Sequence, residues 1–147
     1  MMASFDPETG CVVKENGEEF FVVVYSVHSA NLSLDGKLLA TGDAHGYVVI
    51  FDITERIWIK KWKGHNNGIY GVSIFPDGKH LVSCGYGDRS VKVWDMEEGE
   101  SLMTLDGHTD GVHSVAYSPN GLLIVSASFD STARIWCAKS GKCADFI

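Results

Sequence analysis

At 147 residues the chain has room for one domain, and 45% apolar with 21% charged residues is the composition of an ordinary globular fold. Twelve Lys and Arg against nineteen Asp and Glu give a formal charge of −7, which argues against a nucleic acid as the main partner, because phosphate contacts need clustered cations. No apolar run reaches membrane-spanning length, and the acidic start MMASFDPETG lacks the basic-then-apolar layout of a signal peptide, so no membrane partner is expected and the location is expected to be cytoplasmic, with a nuclear one as the alternative.

In chain order, Phe5-Asp6, the turn Glu8-Thr9-Gly10 and Cys11-Val12-Val13 read as two strands and their turn. KENGEE, Lys14 to Glu19, is a polar turn around Asn16-Gly17. The run FFVVVY, Phe20 to Tyr25, is continuous, apolar and β-branched or aromatic, and predicts a strand buried on both faces. The next strands are placed in VHSANLSLDG, in LLATGDA, in YVVIFDI and over Ile57 to Trp62. Lys60-Lys61-Trp62-Lys63 is the one tight basic cluster; on a strand its side chains alternate faces, which fits a solvated outer edge.

From Gly64 the pattern sharpens. GHNNGIYGVSIFPDGKHLVSCGYGDRSVKVWD opens on Gly-His, turns at Pro-Asp-Gly and closes on Trp-Asp. GHTDGVHSVAYSPNGLLIVSASFDSTARIWC repeats that order, with 43 residues from His65 to His108 and 42 from Trp94 to Trp136. VHSANLSLDG aligns without gaps to the same segments, so Asp35, Asp77 and Asn120 correspond at a turn and a third, earlier repeat exists. Predicted strands are Ile69–Phe75, His80–Cys84, Ser90–Asp95 and Ser101–Leu105, then Val112–Tyr117, Leu123–Ala127, Thr132–Cys137 and Lys142–Ile147. A period in the low forties with these end marks is the signature of propeller blades. Helical patterning is absent. Cys11, Cys84, Cys137 and Cys143 show no Cys-x-x-Cys and read as free thiols in strands. No metal site and no cofactor are expected.

Gly-His, Pro-Asp-Gly and Trp-Asp together, at this period, resemble the WD-repeat family of β-propellers over residues 5–147. The resemblance implies an all-β fold of four-stranded antiparallel blades: three blades and a flanking N-terminal strand, in an incomplete ring. Residues 1–19 would be the outer strand and turn of a preceding blade, 20–63 a degenerate blade, and 64–106 and 107–147 regular ones.

The family links a His, a strand Ser or Thr, a turn Asp and the Trp by hydrogen bonds within each blade. The matching sets are His65, Ser83, Asp88, Trp94 and His108, Ser126, Asp130, Trp136. A buried indole N–H needs an acceptor, and a buried carboxylate needs donors. The first repeat offers Val23, Thr41, His45 and Phe51 instead, so its packing is expected to be apolar and its stability lower. Ser, His and Asp also invite a hydrolase reading. It is the weaker one: a catalytic site is normally built once, there is no Gly-x-Ser-x-Gly elbow, and the Trp at a fixed offset explains the polar residues without chemistry. The chain is therefore not expected to be an enzyme.

Family partners most often bind the top face around the channel. Carried over, its positions are His28, Tyr70 and His113, then Ala44, Gly87 and Phe129. Ser83 to Asp88 is one residue longer than Ser126 to Asp130, and the extra residue within Gly85-Tyr86-Gly87 is expected to push Tyr86 outward, as turn chemistry or as a further contact residue. The expected function is a protein–protein interaction scaffold binding other proteins or peptides on this rim. The alternative is a truncated or structural fragment of a longer WD-repeat protein without independent activity. Propellers need four to eight blades, so a dimer completing a ring is a further expectation.

Overall fold

The computed structural model describes the backbone of 3–6, 11–14 and 19–21 and the full residues 26–147. Strand β1 (Ala3–Asp6) pairs antiparallel with β2 (Cys11–Lys14), and β2 with β3 (Glu19–Phe21). Two expected strands thus form with a third beside them. The turns at Glu8-Thr9-Gly10 and Asn16-Gly17 lie outside the described residues, as do Val22 to Tyr25 and the two-sided burial expected of that run.

From Val27 the chain is all strand and turn. Three four-stranded antiparallel meanders follow, in unclosed succession. The first is β4 (Val27–Leu32), β5 (Leu38–Asp43), β6 (Tyr47–Asp52) and β7 (Ile57–Lys63). The second is β8 (Ile69–Ile74), β9 (His80–Gly85), β10 (Val91–Asp95) and β11 (Glu100–Leu105). The third is β12 (Val112–Tyr117), β13 (Leu123–Ser128), β14 (Ala133–Cys137) and β15 (Cys143–Phe146). Strand β8 packs between β4 and β12, so the three sheets meet along their first strands.

The hairpin turns between first and second strands are one device used three times. Gly36, Gly78 and Gly121 each sit near φ +71° to +72° and donate their N–H three residues back, to Ser33, Phe75 and Ser118. The left-handed conformation favours Gly. Asp35, Asp77 and Asn120 accept the N–H two residues on, at 3.0, 2.7 and 3.1 Å, as an Asx turn does.

Apolar residues fill the two seams. Ala40, Val48 and Ile50 of the first sheet meet Ile69, Val72, Ile74, Leu81 and Trp94 of the second. Val82, Val91 and Val93 meet Val112, Val115, Ile124 and Trp136 of the third. Strand β9, covered on both sides, is buried at nearly every position, whereas Leu123 and Val125 of β13 stay exposed beside buried Ile124. The basic cluster lies on the outer strand β7, where Lys61 and Lys63 stand over the Tyr47 ring. Cys84, Cys137 and Cys143 are free thiols in strands; the Cys11 side chain lies outside the described residues. No helix among the described residues is long and apolar enough to cross a membrane.

Candidate functional site

In the second sheet, His65 comes from the segment before β8 and its ring lies between two partners. Nδ1 is 2.7 Å from Asp88 Oδ2 and Nε2 is 2.7 Å from Ser83 Oγ. Trp94 Nε1–H donates to the same Ser83 oxygen at 2.8 Å. In the third sheet His108 is 2.8 Å from Asp130 and 2.7 Å from Ser126, and Trp136 donates to Ser126 at 2.9 Å. One chain of donors satisfies every group: indole N–H to hydroxyl oxygen, hydroxyl O–H to Nε2, and Nδ1–H to carboxylate. Both serines are sealed, at 0% and 1% exposure, and their oxygens are already occupied by indoles.

Sequence reading missed two members of these networks. Ser90 Oγ and Thr132 Oγ1 flank the His Nδ1 atoms at 3.5 and 3.4 Å, and Thr132 also donates to Asp130 at 2.6 Å. The signal was an Asp-x-Ser/Thr spacing, with Arg89 and Ser131 between at φ 57° and 71°. Burial works to raise both carboxyls. For Asp88, the hydrogen bond and charge of His65 outweigh it, and for Asp130 the bonds from Thr132 and His108 do, so both lie below the ordinary carboxylate value.

The first sheet differs. Val23 lies outside the described residues. Phe51 is half-buried and stacks on Trp58 at 4.8 Å. The site is not purely apolar: Asp43, which the sequence reading passed over, is fully buried, and its Oδ1 accepts the His45 and Tyr47 N–H groups at 2.9 and 3.0 Å. Among the described residues, Asp43 Oδ2 and the buried Thr41 hydroxyl have no hydrogen-bond partner.

At the starts of the first strands, the same end as the His and Asp side chains, lies the candidate rim. In each sheet the pairing of first and second strand skips one residue: His28 between Val27 and Ser29, Tyr70 between Ile69 and Gly71, His113 between Val112 and Ser114. A bulge residue has no cross-strand partner and its side chain is re-aimed. Here the three bulges project exposed rings. His28 and Tyr70 are 4.9 Å apart, Tyr70 and Tyr86 5.5 Å, Tyr86 and Phe129 5.6 Å, and Phe129 and His113 4.8 Å between centroids. The five rings form one unbroken ladder across three sheets.

Tyr86 is 47% exposed and occupies the centre of the ladder; Phe129 in the shorter loop is 56% exposed, so the outward aim does not come from the extra residue. Tyr86 also corrects the register. Tyr86 N–H donates to Gly68 O as Phe129 N–H donates to Gly111 O and Ala44 N–H to Ser26 O. The counterpart of Phe129 is therefore Tyr86 and not Gly87, because the extra residue follows the ring instead of preceding it. Gly111 packs directly against it: a Cβ there would lie 2.3 Å from Tyr86 Cδ2, so the ring would have to shift.

Comparison with known proteins agrees with this architecture. The model of the WD domain, G-beta repeat, matches residues 57–95 and 99–137, more than half of the chain. U3 small nucleolar RNA-associated protein 15 of Schizosaccharomyces pombe is 35% identical over 71 residues, 48% of this chain and 14% of its own length. WD repeat-containing protein 1 of Mus musculus is 37% identical over 73 residues, 48% of this chain and 12% of its own. DDB1- and CUL4-associated factor 13 of Dictyostelium discoideum is 32% identical over 59 residues, 40% of this chain and 13% of its own. The chain thus spans about a seventh or less of the length of these relatives. With two matched repeats and a third sheet of the same make, the chain belongs to the WD40-repeat family.

Proposed function

We propose that the chain is a protein-interaction scaffold that binds a protein or peptide on the ladder of His28, Tyr70, Tyr86, Phe129 and His113. The observation that carries this reading is the bulge repeated at one register in three sheets, each time aiming a ring outward. Rigid aromatic side chains lose little entropy on binding and bury much area. Membership of a family of interaction scaffolds supports it, and the sealed serines speak against the hydrolase alternative.

Affinity capture with the wild-type chain, followed by Tyr70→Ala and Phe129→Ala, tests the rim. Both rings are exposed, so thermal melting should not move while partner affinity falls at least about tenfold, as for an interface anchor. An unchanged partner set with intact folding overturns the reading.

A second reading is that these blades work only within a longer WD-repeat protein; the uncovered β13 face, with Leu123 38% and Val125 41% exposed, favours it. For location, two relatives are named for association with the U3 small nucleolar RNA, which supports the nuclear alternative over the cytoplasmic expectation.

A further inference from the structure

The seams between sheets end, at the face opposite the rim, in two grooves built from the same positions. Met96 N–H donates to Lys79 O at 2.9 Å and Ala138 N–H to Leu122 O at 3.0 Å, which fixes the correspondence of the two turns. The first groove is lined by Ile50, Ile59, Lys79, Met96 and Glu97, and has a volume of about 260 Å³. The second is lined at the matching positions by Val93, Leu102, Leu122, Ala138 and Lys139, and has about 420 Å³.

Three substitutions between repeats account for the difference. Ala138 stands where Met96 narrows the first groove. Leu122 replaces Lys79 and makes the wall apolar. Lys139 replaces Glu97 and reverses the charge. The second groove is further floored by Phe75 and Tyr117, whose rings meet edge to face at 4.9 Å, and by Met103. Leu102 and Leu122 remain 51% and 66% exposed. Both the volume and the mix of apolar wall with few polar groups are those of a ligand site. His80 at its edge is already paired with Asp77 at 2.7 Å. Among the described residues no carboxylate pairs with Lys139.

We propose that this groove is a second docking site, independent of the rim, for a peptide segment that inserts an apolar or aromatic side chain and follows it with a carboxylate. The side chain lies between Leu102, Leu122 and Met103, and the carboxylate faces Lys139. The thioether of Met103 lets the floor adapt to the inserted shape.

The test uses the full chain with labelled Leu, Met and Ala methyl groups and two probes, acetyl-Leu-Phe-Glu-amide and acetyl-Leu-Phe-Lys-amide, titrated by NMR. The Glu peptide should give saturable shifts at Leu102, Met103 and Leu122, and bind about two- to five-fold more tightly than the Lys peptide, the range of an exposed ion pair. Lys139→Glu, at an exposed position that leaves the fold intact, should reverse that order. Ala138→Met should weaken the shifts by narrowing the groove as Met96 narrows the other. Equal affinities, an order that Lys139→Glu leaves unchanged, or shifts confined to the rim overturn the proposal. So do groove shifts that grow with protein concentration without peptide, which would make the occupant a second copy of the chain.

Discussion

Trp94 and Phe51 occupy the same position in adjacent repeats, yet their surroundings differ in kind. Trp94 is 5% exposed and its indole is bound to Ser83, whereas Phe51 is half-buried and bound to nothing polar. Trp94→Ala is therefore expected to cost about 3–5 kcal/mol, with a further penalty for the stranded Ser83 and His65, and Phe51→Ala distinctly less. Denaturant titration of the two variants measures the difference, and equal losses would remove the network argument. The carboxylates set the pH dependence. Asp88 and Asp130 titrate lower when folded than when unfolded. Their stabilisation is thus fully present above the unfolded carboxylate range near about 4 and is lost as pH falls through the lower folded values. Thermal melting should be level around neutrality and drop on acidification. Asp130→Asn should lower the neutral midpoint and flatten that acid slope. These networks were legible from the His-Ser-Asp-Trp spacing. Ser90 and Thr132 were not, because a hydroxyl two residues beyond an Asp is common in any turn.

Among elements, the bulged first strands matter most, since they turn a sheet edge into a ring-bearing rim. The β9–β10 loop is held there by close packing against Gly111. Gly111→Ala would drive a methyl to 2.3 Å from Tyr86 and is expected to cost about 1–3 kcal/mol as overpacking does. In the Tyr86→Ala background that cost should largely vanish, and the double-mutant cycle measured by thermal unfolding reads the coupling. Independent, additive losses would mean that Gly111 serves the backbone alone. From Val27 on, strand ends were predicted to within a residue or two, because Gly, Asp and Asn mark the turns. The bulges were not foreseen. A pairing register belongs to two strands at once, and one strand's alternation does not show the residue that its partner skips.

For the molecule as a whole, the unequal burial of β9 and β13 is decisive. The middle sheet is covered on both sides, while the last presents Leu123, Val125 and Phe146 to solvent. An apolar face of that kind favours association. Light scattering is expected to give a mass above 16.1 kDa, near twice that value if two copies close on each other. Val125→Lys should return the chain to the monomer without loss of β-sheet signal in circular dichroism. A wild-type monomer that binds no apolar dye would show that this face is quiet.

Sequence by itself determined the repeat, the order of the strands, the turns and the polar sets. Each of these is written in local chemistry: alternation, a left-handed glycine, a capping Asp, a fixed His-to-Trp offset. Only the tertiary structure decided that five rings from three strand bulges and two loops come together, that Tyr86 and not Gly87 stands beside Phe129, and that Ala138 widens the groove which Met96 narrows. Those facts depend on which sheets become neighbours and in what register, and residues about forty positions apart carry no mark of being in contact until the sheets pack.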